Sequence, residues 1–95
     1  MKIYISGKIT GTEDYQKRFK DHSEKVKKLF PAAEIVNPVP ICAELPIGSE
    51  WSTYMKVCLD ELRKCDMISM IPGWEDSKGA CVEYYIAKER NMSFI

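Results

Sequence analysis

The sequence predicts a small α/β protein, a three-layer sandwich of the flavodoxin or Rossmann kind with helices on both faces of a parallel sheet of four strands, or five. Three observations lead there. Short segments of strand character alternate with segments whose apolar residues recur at helical spacing, giving the order β-α-β-α-β-α-β. An order of that kind returns each strand parallel to the last through a right-handed crossover. Third, "MISMI", residues 67–71, is an unbroken run between Asp66 and Pro72, as expected of a strand covered on both faces.

Residues 2–6, "KIYIS", alternate, are rich in β-formers and meet Gly7, so a strand opens there into the loop "GKITGTED". From Thr12 onward Tyr15, Phe19, Val26 and Leu29 fall near one helical face, with Thr12 as N-cap and Glu13 and Asp14 favourably placed at the positive end of the helix. Pro31 ends this helix. A short strand at 34–37 is stopped by Pro38, and the prolines and glycine of "VPICAELPIGSE" are expected to keep the next segment irregular. So long a loop in a compact domain suggests binding. A second helix, residues 52–64, carries the stripe Tyr54, Met55, Cys58, Leu59 and Leu62. After the third strand, "PGWEDSKG" reads as a loop, residues 79–90 as a third helix and "MSFI" as the last strand.

Ninety-five residues support one core, so a single domain over 1–95 is expected. Fourteen basic residues balance 14 acidic ones, which gives no field to draw in a nucleic acid polymer or an anionic membrane. No apolar run approaches the roughly 18 residues needed to cross a bilayer, and the four-residue run before Gly7 is too short for a signal sequence, so a cytoplasmic location is expected. Cys42, Cys58, Cys65 and Cys81 form no CxxC pair and His22 stands alone among charges; neither a metal site nor a cofactor is expected, and the thiols read as reduced and mostly buried. A core this small also favours a homodimer or higher homo-oligomer.

In sheets of this kind ligands bind beyond the carboxyl ends of the strands, where strand order reverses. The loops after the first and third strands share that edge. In the first, Gly7 and Gly11 flank Lys8, Ile9 and Thr10, which can offer backbone N–H groups, an ammonium and a hydroxyl to an anion, although glycines in such a loop equally serve the turn. In the second, Asp76, Ser77 and Gly79 precede the third helix, and Ser77 is either its N-cap or a handle for phosphate. Glu83 lies too far into that helix for a capping box with Ser77, since position 80 holds Ala. The carboxylate therefore lacks the simplest structural excuse. Tyr4 and Trp74 are candidates for a flat wall against a ring, with core packing the alternative for both.

The stretches "MKIYISGKITG", "DELRKCDMISM" and "SKGACVEYYIAK" resemble the nucleoside 2-deoxyribosyltransferase superfamily over most of the chain, and its small phage and bacterial branch in size. The resemblance implies that Glu83 is the nucleophile, with Gly79 and Ala87 the small residues four before and four after it, and that Asp60 works near the base. In transferases acting on free nucleosides an Asp usually stands six residues before the nucleophile; in the 2'-deoxynucleoside 5'-monophosphate N-glycosidases a Ser stands there and contacts the phosphate. Here that position is Ser77, with Asp76 one place earlier, and "SGKITG" looks more like the glycosidase loop. Two features depart from the family: Tyr84 and Tyr85 stand where a small glycine is common, and the segment that members lend to a neighbouring subunit is missing after Ile95. The implied chemistry is cleavage or transfer at the N-glycosidic bond of a 2'-deoxynucleoside or its 5'-monophosphate. It would run through a covalent deoxyribosyl-Glu83 intermediate, with Asp60 as acid to the leaving base and no metal. The alternative is a non-catalytic nucleotide binder of the same fold.

Overall fold

A computed structural model describes residues 1–9, 11–46 and 48–95. The elements are β1 (Lys2–Ser6), α1 (Tyr15–Leu29), β2 (Glu34–Val36), α2 (Pro38–Cys42), α3 (Trp51–Arg63), β3 (Met67–Met70), a 3₁₀ turn (Trp74–Asp76), α4 (Lys78–Glu89) and β4 (Ser93–Phe94). The four strands form one parallel sheet in the order β2-β1-β3-β4. The expected α/β sandwich is therefore the fold, with four strands and one helix more than the sequence suggested.

Strand alternation sorts the core into two halves. Ile3 and Ile5 point from β1 to one face and pack with Phe19 and Val26 of α1. Tyr4 points to the other, among Cys58 and Leu62 of α3 and Ala87 of α4. The chain moves from β1 outward to β2 with α1 on the first face, then back across β1 to β3 and β4 with α3 and α4 on the second. Strand order thus reverses at β1, and the crevice this opens lies between the loops that leave β1 and β3. Gly7 is needed in that loop for close approach, because a Cβ there would lie 2.9 Å from Ile71 Cδ1.

Three local expectations change. The prolines of residues 38–42 start a helix rather than prevent one: Pro38 occupies its first turn, where no amide is required, and the Asn37 side chain accepts the Val39 amide at 3.0 Å as N-cap. Thr12 does not cap α1; its amide closes a turn onto the Ile9 carbonyl at 3.2 Å, and the helix begins after Asp14. Leu29, placed on the buried stripe of α1, is exposed, since the helix buries Phe19 and Val26 and ends one residue short of Phe30, which packs in its stead. Asp66 is a junction residue whose carboxylate accepts the Lys2 amide at 2.9 Å. No described helix is long and apolar enough to cross a membrane.

Candidate active site

A cleft of about 920 Å³ opens at the reversal point, at the upper end of the size usual for small-molecule sites. Its floor is Glu83, one and a half turns into α4 and 7 % exposed. Both carboxylate oxygens are engaged from β1. Tyr4 donates its hydroxyl to Oε2, and Ser6 donates to Oε1 at 2.7 Å. Tyr4 and Ser6 are two residues apart, so the pleat presents them on the same face of the strand.

Burial pushes the Glu83 carboxyl up from 4.5 to about 7, although the hydrogen bonds from Tyr4 and Ser6 act the other way by favouring the charged form. Near neutral pH the group therefore divides between acid and carboxylate. Burial, and then the charge of Glu83, hold the Tyr4 phenol well above its ordinary value, so it remains a donor throughout. A buried carboxyl fixed by two hydroxyls and facing a cleft can attack an electrophilic carbon when ionised or give a proton when not.

The walls come from several elements. Gly7, Lys8 and Ile9 bring the first loop, and Asp76, Ser77, Lys78 and Gly79 the second. Trp51, Tyr54, Met55 and Cys58 line the cleft from α3, and Cys42 from α2. The Lys78 ammonium stands 4.7 Å from the centre of the Trp51 ring. The Ser77 hydroxyl accepts the Ala80 amide at 3.2 Å, so it is the N-cap of α4. Its own proton can still be donated elsewhere.

The structure thus gathers Tyr4, Gly7, Lys8, Ile9, Asp76, Ser77, Gly79 and Glu83 around one cleft. Thr10 lies outside the described residues. Gly11 is exposed away from the lining, where its φ of +78° serves the turn. Trp74 faces away from the cleft and stacks on Tyr84 at 4.7 Å, the alternative of packing rather than a ligand wall. Tyr4 is wholly buried and meets Glu83 with its hydroxyl instead of offering a ring face. Asp60 is exposed on α3, beside Arg63 at 3.4 Å, and is not among the residues that line the cleft.

Ser6 was not anticipated as a site residue, because a serine closing a strand before glycine reads as an ordinary strand end. The one available signal was its two-residue spacing from Tyr4. Trp51, Tyr54 and Met55 also line the cleft without a sequence signal for it, the last two belonging to the apolar stripe of α3. No group of three or more His, Cys, Asp or Glu among the described residues is arranged to hold a metal ion.

Comparison with known proteins yields a family model described as a domain of unknown function, DUF4406, which matches residues 1–95. No curated protein and no solved structure matches the chain.

Proposed function

Because the chain belongs to the DUF4406 family, whose description names no activity, its chemistry has to be read from the cleft, and we propose that it cleaves or transfers at the N-glycosidic bond of a 2'-deoxynucleoside 5'-monophosphate. The observation behind the proposal is Glu83 itself, a buried carboxylate at the floor of an open cleft with both oxygens oriented by hydroxyls. Ionised Glu83 attacks C1' of the sugar as the bond to the base nitrogen breaks, forming a deoxyribosyl ester. Water, or a second base, then displaces the carboxylate. Ionised Glu83 is at the same time stabilised by the two hydroxyl donors, which fix the direction of attack.

The likeness of three stretches to the nucleoside 2-deoxyribosyltransferase superfamily supports the same reading. The preference for a monophosphate rests on Lys8, Ser77, Lys78 and the backbone at Gly79, which would meet the phosphate at the start of α4. Asp60 has no part in this scheme, since it faces away from the cleft. The departing base would take its proton from water in the cleft.

That last feature favours one second reading. With Asp60 outside the cleft, the acidic residues lining it among the described residues are exposed Asp76 and buried Glu83, and a cleft without a separate acid for the leaving base suits holding a nucleotide without turnover. The two readings separate on incubation with deoxynucleosides and deoxynucleoside monophosphates, with and without an acceptor base. Free base released from monophosphates supports hydrolysis, and base exchange supports transfer. Binding without either product supports the non-catalytic reading, and turnover that survives in Glu83→Ala overturns the assignment of the nucleophile.

A further inference from the structure

We propose that Cys42 and Cys58 are a peroxide-sensitive thiol pair that forms a disulfide across the wall of the cleft, joining α2 to α3. Their sulfurs lie 3.2 Å apart, Cys42 half-buried and Cys58 buried, and both line the cleft. A disulfide requires closure to about 2.0 Å, an adjustment within reach of side-chain rotation and a small movement of α2, a helix of five residues held at one end by the Asn37 cap.

The two sulfurs have different surroundings, and this sets the order of events. Burial, followed by the hydrogen bond to Cys42 and the nearby Glu83 charge, pushes the Cys58 thiol far above its ordinary value, so it is a poor first nucleophile. Cys42 is the more accessible. Its thiolate attacks one oxygen of hydrogen peroxide, the O–O bond breaks, and the departing hydroxide takes up the thiol proton to leave as water, giving a sulfenic acid. The sulfur of Cys58 then attacks that of Cys42. The S–O bond breaks, and the leaving hydroxide takes the Cys58 proton to become a second water. Two thiols are oxidised by two electrons in total and one peroxide is reduced to two waters.

The oxidised form would differ from the reduced one where it matters. In the reduced protein the Cys58 thiol is beside the Tyr4 hydroxyl that holds Glu83. The disulfide removes that thiol proton and fixes α2, a five-residue helix, to α3. The bond also closes a loop spanning 16 positions, which raises the melting temperature by roughly 15 °C.

The full-length protein is treated with hydrogen peroxide, unfolded under acid and titrated for thiols. The expected result is a fall from four thiols to two, a mass lower by two hydrogen atoms, a peptide linking Cys42 to Cys58, and reversal by dithiothreitol. Cys58→Ser should instead trap the sulfenic acid on Cys42 as a dimedone adduct, and Cys42→Ser should give neither product. Four surviving thiols, or a disulfide that joins other cysteines or separate chains, overturns the proposal. A Cys58→Ser protein without the adduct overturns the assigned order. None of these measurements depends on whether the cleft turns over a glycoside.

Discussion

Replacing Glu83 by Gln is expected to make the protein more stable at pH 8, by an amount that follows from the burial of this one carboxyl. In the folded protein it titrates near 7 rather than 4.5. A carboxyl whose folded value is raised holds its proton more tightly when folded, so its contribution to stability is complete below pH 4.5 and is lost as pH rises through 7. At about 1.4 kcal/mol per pH unit the full loss amounts to about 3 kcal/mol. Glu83 keeps 7 % exposure at the floor of an open cleft, which lowers the expected effect to ~1–3 kcal/mol. Glutamine keeps the volume, accepts at one atom and donates at the other, and so retains contact with Tyr4 and Ser6 without the buried charge. Urea unfolding of parent and variant at several pH values from 4.5 to 8 tests this. The difference should open from pH 4.5 and level off above 7, moving the midpoint by about 1 M or more at pH 8. His22, lowered by burial and then by Lys25, contributes to the pH dependence with the opposite sign, so the difference between the two proteins is the quantity to follow. A difference that stays flat, or a variant less stable than the parent at pH 8, would refute the account of Glu83 as a destabilising buried charge. Turnover should be lost in the same variant.

Three further outcomes follow from the same geometry. Ser6→Ala removes the donor at 2.7 Å and should raise the Glu83 titration, and with it the acid limb of the rate profile, by about 1 pH unit; carbon NMR of the carboxyl reads this independently of activity. Ser77→Ala should cost about 1 kcal/mol in thermal unfolding through loss of the α4 cap, while Ser77→Asp restores the cap and repels phosphate, so that stability returns but the KM for a monophosphate rises at least about tenfold with binding of the free deoxynucleoside unchanged. Asp60→Asn should change kcat by less than about twofold and stability by less than about 0.5 kcal/mol, because the exposed pair with Arg63 contributes little.

Much of this was legible in the chain before any coordinates. "MISMI" and "KIYIS" gave the two central strands, and the missing capping partner at Ala80 marked Glu83 as a residue in want of a purpose. The position of Asp60 off the cleft lining was legible too. With Cys58 and Leu62 on the buried stripe of α3, Asp60 lies about 200° round from Cys58 at 100° per residue, and that spacing already turned it away from the sheet. Other features were beyond local pattern. Whether Pro38 and Pro40 break a helix or sit in its first turn depends on Asn37 providing the cap. Ser6 becomes a site residue only because α4 crosses β1 at the height of Glu83, a contact between residues 77 positions apart. Trp74 and Trp51 are chemically alike, and only the direction of the elements that carry them decides which one reaches the cleft.

The placement of Tyr4 and Ser6 on β1 has a consequence for how the site ages and varies. β1 is hydrogen-bonded on both sides, to β2 and to β3, so its amides should be among the last to exchange with deuterated water, opening only when the whole domain opens. The hydroxyls that aim Glu83 share that protection. The rim, made of a five-residue helix and two loops, is expected to exchange earlier, through local opening. Substitutions there are expected to alter the mouth of the cleft, while the geometry around Glu83 persists for as long as the protein is folded at all.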